Sequence, residues 1–160
     1  MISKEEVEAA INKAKELMVN AGLDSDVTYS DLVDWFESEV PVPDVEIEDI
    51  VLDPLLVVHE LVEIREIVKM GLELSRDSLA KNKDKVWEAH LKAIATEMLV
   101  ARRAHALEHM RSRLGDIERC CTDSRIPAKL RASYGKLYAV TKDVVSDLQR
   151  RQLSGPSGNA

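Results

Sequence analysis

Apolar residues recur at three- and four-residue spacing along almost the whole chain, and the interruptions fall mainly at glycine and proline. Val7, Ile11, Ala14, Leu17 and Met18 form one such series. It follows Ser3, whose spacing to Glu6 makes a capping box, and Gly22 closes it. A second, short helix is expected in "TYSDLVDWFESEV", capped by Thr28 or Ser30, with Leu32, Trp35 and Phe36 toward the core and Pro41 and Pro43 beyond its end. The alternation through Val45, Glu46, Ile47 and Glu48 has no partner strand, so it reads as an ordered linker. From Asp53, with Pro54 in the first turn, a helix apolar nearly all round runs to about Met70, where Gly71 permits a stop. It is the expected buried centre of the fold. No glycine or proline interrupts the chain from about Ser78 to Leu114, which predicts one long helix ended by Gly115. A last helix starts at Pro127 and carries Leu130, Tyr134, Leu137, Val144, Val145 and Leu148 on one face.

These elements add up to an all-α fold, an antiparallel bundle of four main helices plus a short one. A single domain over residues 1–153 is expected, followed by a flexible tail, 154–160. Composition agrees, because six Gly and five Pro are too few for a turn-rich strand fold. The net charge of -7 hides an asymmetry: residues 1–73 hold 19 acidic and 5 basic side chains, and residues 74–160 hold 10 acidic and 17 basic. Mutual attraction of the halves follows, and an acidic total argues against nonspecific nucleic-acid binding. With no secretory-signal pattern and no apolar span of about twenty residues, a cytoplasmic protein without a membrane segment is expected. Cys120 and Cys121 are adjacent and lack the spacing of a zinc cage, so they are assigned no chemistry.

The anomaly lies in the most apolar segment, which contains "HELVEIRE". At about 100° per residue, Glu63 falls about 40° from His59 and Glu66 about 20° to its other side. The stripe they share is flanked by Leu55, Leu56, Val62 and Ile67, whereas Glu60, Arg65 and Lys69 are expected to reach water. The long helix repeats the pattern, with His90, Glu97 and Glu108 near the centre of its apolar face and Lys92 on the other. Antiparallel pairing of these helices makes partner numbers sum to roughly 150 to 158. Glu97 then comes level with His59, and His90 with Glu63 or Glu66.

Buried carboxylates need compensation, since one unpaired ion costs several kcal/mol against a folding margin of about 5 to 15 kcal/mol. Imidazole and carboxylate together suit zinc, iron, manganese or nickel. His59, Glu63, Glu66, His90 and Glu97 are therefore the candidate ligands of one or two divalent ions, with His105 and Glu108 as further candidates. The function expected is a small helical metalloprotein, with a metal-dependent hydrolase of a phosphorylated or other anionic small molecule as its enzymatic form. Arg125, Lys129, Arg131 and Lys136, near the Pro127 helix start, could receive such an anion. The alternative is a helical interaction module or homodimer whose polar stripe sets register.

Two resemblances touch the same residues. "HELVE" resembles the start of the zinc-protease pattern HExxH, with Glu63 where the second histidine stands. His59-xxx-Glu63 with His105-xxx-His109 is similar to two pieces of the hemerythrin pattern, whose further histidines and closing acid have no counterpart. Each covers only a few residues, and no family is assigned.

Overall fold

Helix starts form where the chain supplies caps. In the computed structural model, which describes residues 2–38 and 46–154, α1 (Lys4–Asn20) begins at the reciprocal Ser3/Glu6 capping box and α2 (Tyr29–Glu37) at a Thr28/Asp31 box. The chain continues as α3 (Ile47–Ile50), α4 (Pro54–Lys69), α5 (Arg76–Lys81), α6 (Lys83–Arg103), α7 (Leu107–Thr122) and α8 (Ala128–Leu153). Every element among the described residues is helical, as expected. Pro41, Pro43, Val45 and tail residues 155–160 lie outside the described residues. The remainder of the expected linker is not extended throughout, because Ile47–Ile50 makes one helical turn.

Among the described residues eight helices stand where five are predicted, because α3 forms in the expected linker and the expected long helix is broken twice. Asn82 interrupts it first: its side-chain amide donates to the Ser78 carbonyl at 2.8 Å, and its own carbonyl accepts from Lys85 and Val86 to start α6. Asparagine competes with the helix for just such backbone groups. The second break follows Arg103, where His105 adopts φ 55°. Ala106 N donates to Ala101 O at 2.9 Å and His105 N to Arg102 O at 3.2 Å, the paired bonds of a Schellman motif. Gly22 and Gly71, at φ 76° and 74°, close α1 and α4 with the same two bonds. Histidine thus occupies a position that glycine signals elsewhere in this chain. Conversely, Gly115 ends nothing; it lies inside α7.

Residues Met1–Val100 and Ala101–Ala160 form two compact units. In the first, α1, α2 and α3 all pack on α4, which is the central helix the pattern predicts. Seven apolar residues of α4 are buried: Leu55, Val57, Val58, Leu61, Val62, Ile64 and Ile67. At about 1.5–3 kcal/mol per fully buried aliphatic side chain, their burial exceeds the several kcal/mol that one buried ion costs. The helix can therefore carry polar groups inward without failing to form. In the second unit α7 packs on α8, with Leu107, Met110 and Ile117 facing a core that includes Tyr134 and Val145. Leu130, Leu137, Val144 and Leu148 of the expected α8 face are half-buried. No helix among the described residues is long and apolar enough to cross a membrane.

Candidate metal centre

His59 and Glu63 occupy successive turns of α4, and their i,i+4 spacing puts both on the buried side of that helix. His90 and Glu97 stand two turns apart on α6. Hydrogen bonds pair His59 with Glu97 and Glu63 with His90, so numbers rise on α4 as they fall on α6, and the long Lys92 side chain reaches Glu66 beside them. The two helices are antiparallel in the register expected from the sequence.

Three donor atoms converge. His59 Nε2 lies 3.1 Å from Glu63 Oε2 and 3.1 Å from His90 Nδ1, and His90 Nδ1 lies 3.2 Å from the same Glu63 oxygen. His59 and Glu63 are buried and His90 nearly so; together the three could hold a metal ion. The imidazole rings meet edge to face at 4.7 Å between centroids, and Trp87 abuts His90 at 5.7 Å. Behind His59, Glu97 Oε2 lies 2.9 Å from Nδ1, and Glu97 is 0% exposed. A carboxylate on Nδ1 favours the tautomer with its proton there, leaving the Nε2 lone pair directed at the convergence point.

With Glu63 ionised, hydrogen bonding leaves one strained edge in this triangle. If both ring nitrogens carry protons, each N–H donates to Glu63 Oε2 but the two N–H groups sit 3.1 Å apart; if only one does, the other nitrogen sets a lone pair against the carboxylate oxygen. A cation touching all three atoms makes every contact attractive. Ligands at about 2.1 Å from a first-row ion are about 3.0–3.4 Å apart in octahedral or tetrahedral arrangement, which matches the three edges. Glu63 Oε1 adds a second observation, being buried with no hydrogen-bond partner. Leaving such an atom unsatisfied costs about 1–3 kcal/mol or more.

Electrostatics follow from the same contacts. Burial alone would raise the Glu63 pKa, but the positive charge of His90 and the bonds from both histidines outweigh it and hold the group at about 2. Burial would lower His59, yet its bonds to Glu63 and Glu97 prevail and push the imidazole above its ordinary value.

Not every expected ligand joins the group. Glu66 is drawn to Lys69 at 2.9 Å and Lys92 at 3.0 Å, and although burial opposes its ionisation these ammonium groups keep its pKa below the usual carboxylate range. Lys92, expected on the other face of the long helix, nevertheless reaches Glu66 because its long stem carries the charge around the helix. Glu97 touches the group through His59 rather than joining the triangle. His105 is exposed and serves as the α6 terminator; Glu108 is exposed and pairs with Arg111. Arg125, one of the candidate anion-binding residues, pairs with Asp123.

Glu60 reverses its expected placement. It is half-buried rather than solvated and accepts a 2.8 Å hydrogen bond from Trp35 Nε1 on α2. Burial raises its pKa, and the charges of His59, Glu63 and His90 all act on it. Periodicity within α4 cannot show this, because Trp35 arrives from another helix. Comparison with family models, curated proteins and solved structures found no match to this chain.

Proposed function

We propose that this protein binds one divalent transition metal through His59 Nε2, His90 Nδ1 and Glu63, with Glu97 orienting His59. The convergence of three ligand atoms on edges of 3.1, 3.1 and 3.2 Å carries the reading, and the unpartnered Glu63 Oε1 supports it. Two imidazoles and a carboxylate suit zinc or ferrous iron. Three protein ligands leave coordination positions for water or substrate, as catalytic sites do and closed structural zinc sites do not. A single ion is favoured over two, since Glu66 is engaged by lysines and Glu97 by His59. A hydrolase is the enzymatic form of this reading, an ion of this kind lowering the pKa of bound water toward about 7.

Elemental analysis of protein purified without chelator tests the proposal. About one equivalent of transition metal, lost on Glu63→Gln or His90→Ala, is the expected result. Less than about a tenth of an equivalent, with no thermal shift on adding zinc, manganese or iron, overturns it.

A further inference from the structure

The break between α6 and α7 falls in a sequence suited to uninterrupted helix. Of the eight residues in "ARRAHALE", Ala101 to Glu108, seven are alanine, arginine, leucine or glutamate, among the strongest helix formers. The backbone leaves the helix there all the same. His105 takes φ 55°, which disfavours a non-glycine residue about five- to thirtyfold, and Ala106 gives α7 no side-chain cap. Two backbone bonds hold the turn, from Ala106 N to Ala101 O and from His105 N to Arg102 O. In a continuous helix the same two amides exchange acceptors, Ala106 turning to Arg102 and His105 to Ala101. Straightening therefore costs neither bond.

The contacts within each unit are compatible with it. α6 is tied to α4 through His90 and Glu97, and α7 packs on α8. At about 100° per residue, Leu107, Met110 and Ile117 of a continuous helix would lie about 80°, 140° and 160° around its axis from Glu97. α4 and α8 would then occupy different sides of it without competing. We propose that residues 104–106 are a hinge with two settings, the observed turn and one helix running through residues 83–122, and that His105 sets the balance between them. The hinge stands beside the boundary of Met1–Val100 and Ala101–Ala160. Residues 1–100 hold 23 acidic and 10 basic side chains and residues 101–160 hold 6 and 12, so it joins units of opposite charge. Moving it changes the distance over which they attract each other. The device does not rest on the metal reading.

Pulsed electron paramagnetic resonance between nitroxide labels on Lys85→Cys and Glu118→Cys tests it, in the full chain with Cys120→Ser and Cys121→Ser. Both labelled positions are exposed. An unbroken helix separates them by about 50 Å along its axis, and any bend shortens the distance. Two populations are expected, one of them at about 50 Å. His105→Ala, which favours helix and tolerates the left-handed region less well, is expected to enlarge that population about three- to tenfold. His105→Gly is expected to shrink it about ten- to fiftyfold. His105→Gln, also a good helix former, serves if His105→Ala fails to fold. A helix-favouring variant that folds and shows no 50 Å population overturns the hinge. Equal weight of that population in the unaltered, alanine and glycine proteins overturns the role of His105.

Discussion

Glu97→Gln separates a ligand from a residue that aims one. Glutamine retains the shape of the side chain and an oxygen that can accept from His59 Nδ1, but it removes the negative charge 2.9 Å behind the ring. Carboxylates placed behind a ligating histidine contribute about 10- to 100-fold in metal affinity. At free metal a hundredfold above the dissociation constant, binding stabilises the unaltered protein by about 2.7 kcal/mol. A tenfold weaker variant at the same free metal retains about 1.4 kcal/mol, and a hundredfold weaker one about 0.4 kcal/mol. For a unit the size of Met1–Val100, each kcal/mol moves the melting temperature by roughly 4–8 °C. The metal-induced shift should therefore fall to half or less. Competition against a chromophoric chelator gives the affinity directly, and melting followed by circular dichroism gives the shift. Complete loss of binding, as expected for Glu63→Gln, would make Glu97 a ligand and refute its placement behind His59. An affinity within about twofold of the unaltered protein would refute the orienting role.

Trp87 abuts His90, so metal binding should alter intrinsic fluorescence saturably at one equivalent. A flat titration with metal demonstrably bound would contradict the geometry. Burial would lower the His59 pKa but its bonds to Glu63 and Glu97 raise it above 6.5, so the metal-free imidazole holds its proton to higher pH than usual. An ion must displace that proton; affinity should rise with pH from about 6 to 8, with proton release visible by calorimetry in buffers of different ionisation enthalpy, and a pH-independent affinity would count against the assignment. His105→Gly should stabilise the protein by about 1 kcal/mol by removing left-handed strain, with metal content unchanged; lost metal would return His105 to the ligand set. Gly115→Ala should gain about 0.5–1 kcal/mol in a urea melt, since an added Cβ meets only Arg119 Nη1 at 3.9 Å, and a loss would mean that α7 ends there after all.

Periodicity located α4 and its buried side because seven apolar residues on consecutive turns outvote any single polar one. Register between α4 and α6 was legible for the same reason: two stripes with polar groups two turns apart can meet in few ways, and His59 with Glu97 and His90 with Glu63 are the pairs formed. What stayed hidden depends on reach or on local backbone choice. Lys92 belongs to the outer face by angle, yet its side chain spans the distance to Glu66. Glu60 belongs to water by angle, yet α2 covers it with Trp35. The break at His105 is written in no glycine or proline, because a left-handed residue costs only about 1–2 kcal/mol and histidine can bear it where the Schellman bonds and the following helix repay the strain.

His59, with a carboxylate at each ring nitrogen, also has the partners of a permanently charged imidazolium, the centre of a polar seam that only sets helix register. The two readings agree on His59, Glu63 and Glu97 and part company at His90. A charge network of His59 between two carboxylates does not need a second imidazole at 3.1 Å; that ring either competes for the proton His59 gives Glu63 or presents its own N–H to it. Removing it relieves the conflict. A seam therefore predicts that His90→Ala leaves metal-free stability level or higher, less the packing lost against Trp87, with zinc inert toward both proteins. A metal centre predicts that zinc stabilises the unaltered protein by several degrees and His90→Ala not at all, because two donors in place of three forfeit the affinity. Melting the two proteins with zinc and with chelator decides between them, and an equal zinc shift in both would exclude His90 from the centre.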